Sequence, residues 1–136
     1  MARKILLVDD EAGFTELLKM NLERSGAFEV RIENDSTKAV AAAREFLPDA
    51  ILLDVVMPGM DGGDVQAQLQ ASPQLSGIPI LMLTALVDST ELSEGAVAQA
   101  GSQMVLPKPV NLPLLLRVLD EIVPAASGGN ASTVPG

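Results

Sequence analysis

Short apolar runs alternate along this chain with segments whose apolar residues recur at helical spacing. That alternation limits the available folds more than any other feature. "KILLV", "AILLD" and "IPILMLT" are runs without a polar break, the pattern of strands buried on both faces. "FEVRIE" alternates apolar and charged residues, as a strand with one wetter face would, and "MVL" is a shorter run. Between them lie helical patterns. Phe14, Leu17, Leu18 and Leu22 recur in "FTELLKMNLERSG", where Gly26 suits a C′ position. Ser36 or Thr37 is placed to cap "KAVAAAREF", which Pro48 ends. Gly62 and Gly63 loosen the chain before a short helix, "DVQAQLQ". "STELSEGAVAQAG" reads as a helix weakened by Gly95, and "LPLLLRVLDEIV" as a last helix capped by Asn111 and stopped by Pro124.

Five strands alternating with five helices predict an α/β fold: a doubly wound parallel sheet covered by helices on both faces. Such sheets carry their sites at the carboxyl ends of the strands, near the point where strand order reverses. The polar residues fall there. Strand one ends at Asp9 and Asp10, strand three at Asp54 and strand four at Thr84, and strand five is followed by Lys108 and Pro109.

At 136 residues the chain is long enough for one domain with a sizeable core. With 48% hydrophobic but only 2% aromatic residues, that core must be aliphatic. The net charge of -9 works against direct contact with nucleic acid. There is no cysteine, so no disulfide and no thiolate metal site, which fits a cytoplasmic setting. The apolar run of the N-terminus stops at Asp9, too short for a signal peptide, and no segment is long enough to cross a membrane. The tail "PAASGGNASTVPG" is rich in Pro, Gly and Ser, which divides the chain into a domain over 1–123 and a tail or linker over 124–136.

The carboxylates define the chemistry. Two such charges at 4 Å repel by about 4 kcal/mol at an effective dielectric near 20. Lys108 supplies one positive charge, and a divalent cation would balance the rest. Oxygen ligands without His or Cys select a hard ion, and Mg²⁺ is the usual one beside a phosphoryl group. Carboxylates, a hard cation, a lysine and a threonine hydroxyl suit phosphoryl transfer, with a carboxylate as nucleophile giving an acyl phosphate. The bland alternative is that Asp9, Asp10 and Glu11 merely favour the N-terminus of the next helix. Asp54 resists that reading, because an acid closing an apolar strand needs a partner. "GMDGG" lacks the ending of a Walker motif, and Val56 stands where an EF-hand needs a ligand.

"LLVDDE", "AILLDVVMPGMDG", "PILMLTA" and "VLPKP", in this order and spacing, resemble the receiver domains of two-component response regulators. The resemblance runs from about Lys4 to Val123 and implies a flavodoxin-like fold. It implies Asp54 as phosphoacceptor, and Asp9, Asp10, Asp54 and the backbone carbonyl of Val56 as Mg²⁺ ligands. Lys108, Thr84 and Ala85 would bind the phosphoryl group, with Thr84 as conformational switch and Pro109 following a cis peptide. The donor would be a phosphohistidine on a sensor histidine kinase or a histidine phosphotransfer protein, in keeping with a chain that has no histidine. A homodimer and a downstream output domain both stay open as routes for the signal. The family's usual switch aromatic is replaced by Val105, the aromatic after Lys-Pro by Val110, and a larger apolar residue by Gly63. Readout is therefore expected to run through the loop after Thr84 and the Gly95 helix. Val56 and Leu86, both apolar, predict a slow loss of the phosphoryl group. Two rivals fare worse. An aspartate-nucleophile phosphatase of the haloacid-dehalogenase kind needs an acid at Val56 and a cap. A degenerate receiver, used only for binding, would lack an acid or the lysine, and none is missing.

Overall fold

The computed structural model describes residues 2–55, 59, 62–84, 98–100, 103–108 and 110–123. Its elements run β1 (Arg3–Val8), α1 (Ala12–Glu23), β2 (Phe28–Glu33), a 3-10 turn (Ser36–Lys38), α2 (Ala39–Phe46) and β3 (Ala50–Asp54). They continue with α3 (Gly62–Ala71), β4 (Ile80–Thr84), β5 (Ala98–Ala100), β6 (Gln103–Pro107) and α4 (Leu112–Ile122). The strands form one sheet in the order β2-β1-β3-β4-β6-β5. Pairings among β2, β1, β3, β4 and β6 are parallel, so the five expected strands form the expected parallel sheet.

The apolar runs are central because the pleat sends successive side chains to opposite faces, and here both faces are covered. Ile5, Leu7, Leu52, Leu81, Leu83 and Leu106 pack with Leu18 and Leu22 of α1 and Leu115, Val118 and Leu119 of α4. Leu6, Val8, Ile51, Leu53 and Met82 pack on the other side with Ala39, Ala42 and Ala43 of α2 and Val65 and Leu69 of α3. β2 has one neighbour, β1, and it shows the alternating run with the wetter face.

Several local expectations change. The helix expected over 89–101 lies outside the described residues as far as 97. Ala98–Ala100 instead forms a short strand antiparallel to β6. The N-cap position of α2 falls on Lys38, which makes no side-chain cap bond, rather than on Ser36 or Thr37. Asp35 caps the 3-10 turn that leads into α2, its side chain accepting from the Thr37 N–H at 3.0 Å. The carboxylate is a strong acceptor at such a turn and also takes the Thr37 hydroxyl at 2.6 Å, so Ser36 and Thr37 lie inside the 3-10 turn and not at the start of α2. Gly62 is no loosening residue: it opens α3, buried against the backbone of Asp54 and Val55 at the end of β3. Asn111 caps α4 as expected, accepting from the Leu114 N–H at 3.0 Å. α2 stops at Phe46, with Leu47 in the left-handed region at φ 50° just before Pro48. Gly26, at φ +79°, lets the chain turn after α1, its N–H donating to the Glu23 carbonyl at 3.0 Å. Pro124 lies outside the described residues.

Candidate functional site

The chain runs from β1 outward to β2, then returns to place β3 on the other side of β1. Strand order reverses between β1 and β3, so the loops leaving their carboxyl ends diverge and leave a crevice. Asp9, one residue past β1, and Asp54, the last residue of β3, stand at its floor. Both are buried, whereas Asp10 is exposed at the rim. One oxygen from each of the three carboxylates lies within 4.8 Å of the others. Among the described residues this is the group of acids able to converge on one ion.

Lys108 arrives from the end of β6. Its backbone N–H donates to the Thr84 carbonyl at 2.9 Å, which registers the lysine beside the end of β4. Its Nζ lies 2.8 Å from Asp9 Oδ2, 2.6 Å from Glu11 Oε1 and 3.7 Å from Asp54 Oδ2. The Phe14 ring backs it, with the centroid 4.6 Å away. Burial by itself would lower the ammonium's pKa. The hydrogen bonds to Asp9 and Glu11 and the charges of Asp9 and Asp54 outweigh it and raise Lys108 above the ordinary lysine value. The lysine therefore stays protonated throughout the neutral range.

Asp9 is held by its surroundings. Its Oδ1 accepts from the Glu11 N–H at 3.0 Å, and its carbonyl accepts from Asn34 Nδ2 at 2.7 Å. Asn34 also donates to Thr15 Oγ1 at 3.1 Å, tying the end of β1 to α1. Thr84, the last residue of β4, is buried at the same edge of the sheet. Val105 is half-buried in β6 and packs with the α2–α3 side of the core, its register partner being Met82. Val56, Leu86, Ala85 and Pro109 lie outside the described residues, as does the loop after Thr84 as far as 97.

The structure thus brings together Asp9, Asp10, Asp54, Thr84 and Lys108 from four strand ends. It also adds residues that the sequence reading left out of the site. Glu11 occupies the N-cap position of α1 yet makes no side-chain cap bond, its carboxylate going to Lys108 instead. Its side chain is therefore not used as a hydrogen-bonding cap. Its adjacency to the aspartate pair was the available signal. Phe14 was read as core by its spacing, and it both packs on the core and backs Lys108. Asn34 carried no signal.

An all-oxygen cluster with one exposed and two buried carboxylates fits a hard divalent cation, which would offset charge that Lys108 alone cannot balance. A nucleophilic carboxylate beside a fixed ammonium and a cation site can take a phosphoryl group.

The model of the response regulator receiver domain family matches residues 5–120. The DNA-binding response regulator MtrA of Mycobacterium tuberculosis is 41% identical over 113 residues, covering 82% of this chain and 48% of MtrA. The alkaline phosphatase synthesis transcriptional regulatory protein PhoP of Bacillus subtilis is 40% identical over 107 residues, covering 79% of this chain and 43% of PhoP. This chain spans about half the length of the curated relatives it matches. Among solved structures, the chemotaxis protein CheY4 of Vibrio cholerae superposes with a TM-score of 0.73 at 30% identity, covering 90% of this chain and 99% of that one. The receiver domain of a sensor histidine kinase from Pseudomonas aeruginosa PAO1, solved with a magnesium ion coordinated in its active-site cleft, gives 0.72 at 29% identity, covering 90% and 98%.

Proposed function

The chain belongs to the response regulator receiver domain family, and from that premise we propose that it accepts a phosphoryl group on Asp54. The observation that carries the assignment is the convergence of Asp9, Asp10 and Asp54 within 4.8 Å beside the Lys108 ammonium. Asp54 is the member that closes a buried central strand. Asp9, Asp10 and Asp54 would hold Mg²⁺, with the Val56 carbonyl as a further ligand. When bound, the ion neutralises charge on the phosphoryl oxygens.

The step balances simply. An Asp54 carboxylate oxygen attacks phosphorus, the bond from phosphorus to the donor imidazole nitrogen breaks, and the imidazole takes a proton from solvent. Lys108 stabilises the charge on the transferred group, and Thr84, with the Ala85 N–H, binds one of its oxygens. Thr84 is the switch on this reading and Val105 takes the place of the usual aromatic. Pro109 shapes the turn after the lysine.

The donor would be a sensor histidine kinase or a histidine phosphotransfer protein. The domain is a signalling phosphoacceptor and catalyses only its own phosphorylation and dephosphorylation. Residues 124–136, rich in Pro, Gly and Ser, would link the receiver over 1–123 to an output domain or partner, with a homodimer as the alternative route. The acidity of the chain supports leaving nucleic acid to other parts of such an assembly. No helix among the described residues is long and apolar enough to cross a membrane, and a cytoplasmic location suits a phosphohistidine donor.

With Mg²⁺ and acetyl phosphate, the wild-type chain should gain one phosphoryl group in an intact-mass measurement. Asp54→Asn should gain none, and EDTA should abolish the gain. Equal labelling of Asp54→Asn would overturn the assignment.

A further inference from the structure

Lys108 is closer to Glu11 than to Asp54. Its ammonium has three protons to donate. Asp9 and Glu11 hold it at 2.8 and 2.6 Å, and Asp54 Oδ2, at 3.7 Å, is beyond hydrogen-bond distance. We propose that Glu11 is a latch: a positioning residue that holds Lys108 off Asp54 until a phosphoryl group arrives, and so sets how tightly that group is kept. The proposal rests on the reading of Asp54 as phosphoacceptor and Lys108 as its ammonium partner.

Three observations carry it. First, Glu11 sits where a helix cap would, yet its side chain makes no cap bond and is committed to Lys108. Second, the two carboxylates holding the ammonium differ in what release costs them. Asp9 is fully buried, with its other oxygen bonded to the Glu11 N–H, so it cannot exchange the ammonium for water. The Glu11 side chain is 62% exposed, and on release it returns to water. Glu11 therefore lets go first when Lys108 turns to a phosphoryl oxygen. Third, the Phe14 ring lies beside the ammonium, so the lysine remains supported while it exchanges the Glu11 carboxylate for a phosphoryl oxygen. With its carboxylate in solvent, the contact is screened on the Glu11 side, which suits a device that must open. Losing it should shift the equilibrium about two- to fivefold.

The test uses the full 136-residue chain at saturating Mg²⁺, with beryllofluoride as phosphoryl mimic and calorimetry as readout. Glu11→Gln removes the charge. Glu11→Asp keeps the charge on a side chain one methylene too short to reach Lys108. Both variants should bind beryllofluoride about two- to fivefold more tightly than wild type. Both should also shift the nitrogen-15 signal of the Lys108 ammonium in the absence of beryllofluoride. Unchanged or weaker binding by Glu11→Gln would overturn the latch. So would tightening by Glu11→Gln alone, with Glu11→Asp behaving as wild type, since that is a charge acting at a distance. Wild type that binds no beryllofluoride would overturn the receiver reading and the latch together. Normal wild-type binding left unchanged by both substitutions overturns the latch alone.

Discussion

Gly62→Ala should damage the site without touching any charged group. Gly62 opens α3, and its N–H donates to the Val55 carbonyl at 2.8 Å. A methyl group there would fall on the Asp54 carbonyl oxygen and stand 2.8 Å from Val55 Cα and 3.1 Å from the Asp54 carbonyl carbon. These are backbone atoms, so no rotamer change relieves the clash. An ordinary contact begins at 3.4 Å. The helix start or the end of β3 must therefore yield by roughly 1 Å, a misplacement that can cost on the order of 10²-fold in rate, or about 2.7 kcal/mol of barrier. Overpacking of this kind should also cost about 1–3 kcal/mol of stability, lowering Tm by about 3–10 °C in a domain of this size. The assay has two arms: a urea or thermal melt, and the rate of acetyl phosphate labelling at saturating Mg²⁺ on the folded fraction. Wild-type stability with wild-type labelling would refute the close-approach argument. Lost stability with an unchanged rate would mean that α3 moved and Asp54 did not.

Further predictions rest on other contacts. Leu47 holds φ 50° with about half its surface exposed, so Leu47→Gly should relieve a left-handed strain of about 1–2 kcal/mol, offset in part by glycine's entropy, for a net gain up to about 1 kcal/mol in urea unfolding. Arg3 donates to Asp120 Oδ1 and to the Val123 carbonyl, both at 2.8 Å, and stacks on Phe28, so Arg3→Met should cost about 1–2 kcal/mol and loosen the end of α4, read by hydrogen exchange. Lys108 has a folded-state pKa above its unfolded value, so the stability it contributes is complete below the unfolded value of about 10.4 and is lost as pH rises past it toward the folded one. Lys108→Met should accordingly flatten the alkaline limb of the pH–stability curve above about pH 10 and leave the shape between pH 7 and 9 unchanged.

Much of this protein is written locally. Ile5 to Val8 and Ala50 to Leu53 are fully buried, and uninterrupted apolar runs of that length leave a strand little choice but the middle of a covered sheet. Asp54 marks its strand's end because a carboxylate cannot continue such a run without a partner. Asp9, Asp54, Thr84 and Lys108 were thus placed at one edge of the sheet by pattern alone. What the pattern lacks is strand order. Periodicity tells which residues face a core and not which strand lies beside which, so the crevice between β1 and β3 exists only in the assembled sheet. The same limit hid the role of Glu11. Its bond to Lys108 spans 97 residues of sequence, and the same acid in an isolated helix would be a cap or a solvated charge. Gly62 looked like a flexible joint because local sequence cannot show that the backbone of Asp54 fills the space a methyl would need. The strand at Ala98–Ala100 was missed because three small and polar residues carry no periodicity, and their strand geometry comes from the edge of β6 that they pair with. Residue types near in sequence select helix, strand and cap. Contacts between residues far apart in sequence decide which polar groups meet, and that meeting is the site.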